Sequence, residues 1–494
     1  MVFNKSGASF KANSNSIIFY SILLVYGLIF SSISLVNHYF FRTSAYDLGI
    51  NNNALYDYAH FRVNDCMIMW PQYENVLSDH FSLYPILVSP FSWVLGSYTV
   101  LIFQLLSILF GGVGIYKLII DKSKKEALAL TAMCHFFSMW GIYSALSFDY
   151  HDNVVAAMLV PWLMVFFFRK SWTPFFLFFI FILISKENMA LWMGFICLGL
   201  CILSYKDRAS FFIALLGSVL AFIYFILIVK VVIPALANPG ADYKHFHYAA
   251  LGANFEEAFI NIFTKPTRIF ELFLVNHTGD PDYDTIKAEL YLTVLLSGGY
   301  AFFRKPSFFI MLIPIFAQKM LNDDMGKWGV NGHYSIEFVP IVTIALYWWL
   351  SESKYRHVHI LAIMALLICL LKTYTLFESR YSRWYSSELV RFYDKEHYQT
   401  VLPVSEIHEQ LGLIPEEASV SASSHLVPHL CFREYIYEYP LGDQSDYIIL
   451  LDEENTYPLR REDLKNRIAD LLRSRERTTI YAKDGFFIFK KNKH

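Results

Sequence analysis

Residues 172–205, WTPFFLFFIFILISKENMALWMGFICLGLCILSY, decide how the whole chain is read. As one helix the stretch would run about 50 Å at 1.5 Å per residue, against a hydrocarbon core of about 30 Å. It would also put Arg169 and Lys206 on opposite sides of a bilayer, against the tendency of short basic loops to stay on the cytoplasmic side. Two crossings joined by a polar turn at Ser185–Asn188 remove both difficulties. The first of them is short, so Lys186 and Glu187 are expected to sit recessed from the outer interface.

The same test of length and apolarity picks out further runs at 17–40, 97–120, 126–146, 154–168, 210–233, 286–303, 306–321, 336–350 and 358–377. Together these predict about 11 transmembrane helices. Lys5 and Lys11, Lys122, Lys124 and Lys125, Arg169 and Lys170, Lys206 and Arg208, Arg304 and Lys305, and Lys354 and Arg356 then all fall on one side, read as cytoplasmic. An odd number of crossings places the C-terminal segment on the opposite side.

Composition agrees: 55% of residues are hydrophobic, 18% aromatic and 17% charged, where soluble domains carry about 25% charged residues. An ordinary cytosolic enzyme is excluded. Charge is concentrated at the end, with 34 charged residues in the 114 positions from Tyr381 onward and 50 in the 380 before them. The domain reading is a cytoplasmic tail at 1–16, a transmembrane domain at 17–380 and a small extracytoplasmic α/β domain at 381–494. Within the last, VSEIHEQLGLI reads as a helix, SDYIILLD as a buried strand, LKNRIADLLRSR as an amphipathic helix and TTIYAKDGFFIFKK as a hairpin turning at Asp484-Gly485. A net charge of −2 with no basic face argues against a nucleic-acid partner. The six cysteines show no metal-ligand spacing.

The polar, non-basic loops on the outer side hold the candidate chemistry. Asp47 lies just beyond the first apolar run, and Asp79-His80 shortly before the second. A partly desolvated carboxylate at that level suits a general base or a cation-binding group, with helix capping as the plain alternative. The turn SFDYHDN (147–153) adds Asp149 and His151, with Asp152 read as a helix cap. Lys186 and Glu187 are charges placed within membrane depth, where they cost at least about 2.5–3.5 kcal/mol each and usually mark function. Adjacent helical side chains do not face each other, so each needs another partner. Lys327, His333, Tyr334 and Glu337 cluster at the outer start of the 336–350 run, where Lys327 and His333 could neutralise a lipid phosphate or simply belong to an interfacial belt. The stretch KHFHYAALGANFEEAFINIF (244–263) has the periodicity of a helix lying along a membrane surface.

The blocks AYDLGINNNALYDYAH, SDHFSLYPILVSPF, FDYHDNVVAAMLVPWL, ISKENMALWMGF and GHYSIEFVPIV follow one another across residues 45–345. In this order they resemble the bacterial polytopic membrane proteins grouped as domain of unknown function 2079, a family similar to the GT-C membrane glycosyltransferases. The resemblance implies a GT-C-like fold in the bacterial inner membrane, with a polyprenyl-phosphate-linked sugar as partner. It implies inverting transfer to an extracytoplasmic acceptor, with Asp47 as base and Asp79 and His80 orienting the acceptor. Lys186, Lys327 and His333 would hold the lipid phosphate. From the residues themselves, Asp149 and His151 are expected to face a shared cavity with Asp47 and Asp79, and Glu187, Tyr334 and Glu337 to be further binding groups. His80 stands where those transferases often have a second carboxylate; no cofactor is required by any motif, and a divalent metal remains open. A lipid or solute transporter or flippase is the alternative in another class, and a non-catalytic membrane scaffold a third. Charges gathered on one side, without visible repeats, favour the enzyme.

Overall fold

The structure is a computed structural model that describes residues 5–68, 74–240, 245–379, 389–453 and 455–492. The chain divides into two compact units, both discontinuous in sequence. One comprises 1–31, 104–231 and 242–390, and the other 32–103, 232–241 and 391–494.

The first unit is helical. Its main elements are the N-terminal part of Lys5–Tyr39, most of Thr99–Ser123, and Glu126–Phe137, Trp140–Leu146, Asp152–Phe168, Trp172–Leu183, Glu187–Leu203, Arg208–Leu227, Ile286–Leu296, Pro306–Met320, Phe338–Glu352 and Val358–Ser379. Among the described residues, four helical stretches are long and apolar enough to cross a membrane: Asn15–Tyr39, Tyr84–Ser123, Arg208–Leu236 and Val358–Ser379. Six shorter apolar helices accompany them. This is a multi-pass membrane protein by helix content.

The stretch 172–205 does break in two. The Trp172–Leu183 helix ends at Ile184, and Lys186, with extended backbone, is the N-cap residue of Glu187–Leu203. Two other predicted spans are less regular than expected. The run 126–146 is interrupted at Ser138, whose hydroxyl donates to Cys134 O (2.7 Å) and contacts the Tyr26 hydroxyl (2.6 Å). The run 286–303 leaves the α-helix at Leu296, passes Gly298 at φ 117° and finishes as a 3-10 turn; only glycine adopts that conformation without strain.

Basic turns gather at one end of this unit. Lys122 and Lys305 both pair with Glu352, Arg169 pairs with Asp121 at 2.6 Å, and Lys170 with Asp207 at 2.6 Å. These are residues that the sequence places on one side of the bilayer. The turn 147–151, the break at Ser185–Lys186 and the segment 321–337 therefore fall at the opposite ends of the same helices.

The second unit combines the first loop with the C-terminal segment. Its sheet runs, in spatial order, Ile436–Glu438, Val420–Ala422, Tyr447–Leu451, Phe486–Lys491 and Arg477–Lys483. The first three strands are parallel and the last two antiparallel. Tyr447–Leu451 is buried along its whole length, as a central strand covered on both faces must be. The helices Val404–Leu411 and Arg461–Arg473 lie where their amphipathic patterns predict, and Asp484 (φ 50°) and Gly485 (φ 80°) turn the hairpin in the doubly left-handed conformation that Asp-Gly favours. The core of this unit is shared: Phe41, Ala45, Ile50, Cys66 and Ile68 pack with Val420, Val427, Leu430, Ile436 and Ile449.

Candidate functional site

Asp47 occupies a single π-helical turn, Ala45–Gly49, which leads directly into the helix Ile50–Ala59. Single π turns are frequent at functional sites. Asp47 is half-buried, and its main-chain carbonyl accepts from Asn51 Nδ2 at 3.0 Å. Asp79 ends the short helix Val76–Asp79, which Asn75 caps by accepting from Leu77 N at 3.0 Å. His80 follows in extended backbone.

Both carboxylates act on the phenol of Tyr46. Burial of the hydroxyl, then Asp79, then Asp47 push it up to about 12, although half of the residue is exposed. Asp47 and Asp79 thus both lie within electrostatic reach of this phenol. The sequence reading passed over Tyr46; a tyrosine beside Asp47 in AYDLG was its only signal.

The other eight predicted residues belong to the first unit, and most of them converge. Asp149 has left-handed backbone (φ 59°) and its carbonyl accepts from Gln104 Nε2 at 2.9 Å, while Gln104 Oε1 accepts from His151 N at 2.9 Å. This fixed turn lays the His151 ring on His333, with centroids 3.4 Å apart and planes 22° apart. Tyr334 contacts His333 at 4.0 Å, and Lys327 lies over the Tyr334 ring at 5.4 Å. Asn153 joins the two segments, donating to Glu337 Oε1 at 2.9 Å and His333 O at 3.4 Å. Asp152 differs from its expected capping role. It is the first residue of its helix, His151 holds the N-cap position, and Asp152 Oδ1 accepts from Tyr150 OH at 2.6 Å.

Lys186 lies within electrostatic reach of Lys327 and Glu337. Burial holds the Lys327 ammonium below its ordinary value, Asp324 opposes that, and Lys186 adds to it by repulsion. Glu187 is buried at the start of its helix, within electrostatic range of Tyr224.

Two buried lysines escaped the sequence reading. Lys319 Nζ donates to Tyr334 O at 3.1 Å and acts electrostatically on Glu337, whose Oε2 is buried with no hydrogen-bond partner among the described residues. Lys287 Nζ donates to the carbonyls of Leu272 (2.5 Å), Met320 (2.8 Å) and Val275 (2.9 Å) and sits 4.1 Å over the Trp328 ring. Each is a lone cation inside an apolar run, which is itself a signal of function or of a structural clamp. With three carbonyls, Lys287 is a clamp. Lys319 shares its surroundings with the predicted cationic groups.

The arrangement offers two kinds of chemistry. In the second unit, two carboxylates lie within electrostatic reach of a protonated phenol, groups that suit proton transfer and acceptor binding. In the first, lysines and stacked imidazoles line one end of the helices, as anion binding requires.

The comparisons fit this architecture. A solved structure of ArnT from Cupriavidus metallidurans bound to undecaprenyl phosphate is similar over 96% of this chain and 97% of that one, with a TM-score of 0.51 at 10% identity. At that identity the likeness shows the fold alone. No curated protein matches the chain in sequence. The family described as "Predicted membrane protein (DUF2079)" matches residues 37–485. Spanning nearly the whole chain, that match makes this protein a member of the DUF2079 family of membrane proteins.

Proposed function

We propose that the protein is an inverting membrane glycosyltransferase that moves a sugar from a polyprenyl-phosphate donor to an extracytoplasmic acceptor. The observation that carries this reading is Asp47, held in a π turn immediately after the first helix with Asp79 acting on the same phenol, on a fold similar to that of a protein bound to undecaprenyl phosphate.

In this reading Asp47 takes the proton from an acceptor hydroxyl or amine as that atom attacks the anomeric carbon. The bond from that carbon to the phosphate oxygen breaks, and the polyprenyl phosphate leaves as an anion. Asp79, His80 and Tyr46 orient the acceptor. Lys186, Lys327 and His333, with Lys319 beside them, stabilise the departing phosphate, and preorganised cations in a low-dielectric site are the strongest means of doing so. Asp149, His151, Glu187, Tyr334 and Glu337 shape and hold that pocket. The C-terminal α/β domain is extracytoplasmic, on the side of the acceptor.

The test is transfer from a panel of radiolabelled undecaprenyl-phosphate sugars in membranes containing the full chain. Asp47→Asn, expressed to the same level, is expected to lower transfer by about 10²–10⁴-fold, the usual worth of a general base. Undiminished transfer would refute the assignment.

A further inference from the structure

The turn that carries Asp47 lacks a cap of its own. Ser44 holds the N-cap position but makes no side-chain capping bond, although the first N–H groups of a helical segment need acceptors from outside. The acceptor comes from the other end of the chain: Ala45 N donates to Ser424 Oγ at 3.3 Å.

The same C-terminal segment grips the far end of the turn. Asn52 Nδ2 donates to Pro428 O at 3.1 Å, and Asn53 Nδ2 is shared between Cys431 O and Arg433 O at 3.3 Å each. Asn53 Oδ1 accepts from Asn64 at 3.0 Å, which fixes the orientation of the carboxamide. Between the two grips, Gly49 approaches Val427 so closely that a Cβ there would lie 3.1 Å from Val427 Cγ1.

Two polar side chains on a buried helical stretch, Asn52 and Asn53, and the backbone N–H of Ala45 are thus spent on acceptors within residues 424–433. We infer that the segment Ser423–Arg433 is the positioning element for Asp47, with Ser424 as the residue that sets the turn. This rests on the reading of Asp47 as base. The C-terminal domain is then part of the transferase site.

Two measurements on the full chain test this. Hydrogen–deuterium exchange of the amides of 45–49 is expected to rise at least tenfold in Ser424→Ala and to stay near the parent rate in Ser424→Thr, which keeps the hydroxyl. In the transfer assay Ser424→Ala is expected to lower kcat by about 10–100-fold, the usual cost of a base displaced by about 1 Å, with the KM for donor unchanged. Ser424→Thr should recover most of it, and Ser424→Ala added to Asp47→Asn should cost nothing further. Unchanged exchange at 45–49 in Ser424→Ala overturns the positioning inference, whatever the activity. Full transfer by Asp47→Asn would remove the base assignment alone, because exchange reads the contact independently. Equal loss in Ser424→Ala and Ser424→Thr would also overturn the inference, since a bulk packing effect would then account for both.

Discussion

Replacing Glu438 by glutamine isolates the cost of a buried carboxylate in the second unit. Only 2% of Glu438 is exposed, and burial raises its pKa from 4.5 to about 7 against smaller opposing effects of Ser424 and His425. The folded chain therefore holds this proton more tightly than the unfolded chain. The stabilisation is fully present below about pH 4.5 and is lost as the pH rises through about 7. The rise from 4.5 to about 7 corresponds to about 3 kcal/mol, at about 1.36 kcal/mol for each tenfold change in proton affinity. Glu438→Gln keeps the shape but has no proton to lose. In detergent, apparent melting temperatures of parent and variant should nearly coincide at pH 5 and diverge upward through pH 7. By pH 8.5 the variant should be the more stable by up to about 3 kcal/mol, a gain of several degrees. The difference between the two curves is the readout, because other titrating groups cancel in it. Parallel curves from pH 5 to 8.5 would refute the reasoning.

Three further outcomes follow from contacts in the first unit. Lys287→Met leaves the carbonyls of Leu272, Val275 and Met320 without their donor, so it should destabilise the fold by about 3 kcal/mol or more and expose residues 266–285 to limited proteolysis. Gly112→Ala should destabilise strongly, since a Cβ there would fall 2.0 Å from the Phe137 ring; Phe137→Leu in the same chain should restore much of the melting temperature. Asn153→Leu removes the donor to Glu337 Oε1, whose other oxygen has no hydrogen-bond partner among the described residues, and should lower stability by about 2–3 kcal/mol in a melting experiment.

Much of the local architecture is legible in the sequence because it is set by local chemistry. The break at Ser185–Lys186 follows from the length of an apolar run, and the Asp484-Gly485 hairpin from the backbone freedom of those two residues. The buried strand Tyr447–Leu451 and the helix Arg461–Arg473 follow from periodicity. What escaped depends on distant partners. Nothing near Ser424 announces that it caps a turn at Ala45, and Asn52 and Asn53 read as ordinary polar residues until their carbonyl partners are known. Composition made the C-terminal segment look like a separate domain, whereas its core is shared with Phe41, Ala45 and Cys66. Of the candidate site, Asp47 and Asp79 stand out in the sequence because each lies beside an apolar run. Lys319 went unnoticed because a single charge near the end of such a run resembles a boundary residue.

The discontinuity of the second unit also sets a timetable for synthesis. Ala45 and Ser424 are 379 residues apart, so at about 5–20 residues per second the turn waits roughly 20–80 s for its capping group to be made. Through that interval the nascent first loop has a folded helix behind it and no sheet to rest on. A chain that stops before residue 424 can insert most of its helices and still never mature at this turn, so frameshifts late in the coding sequence should be as damaging to activity as early ones.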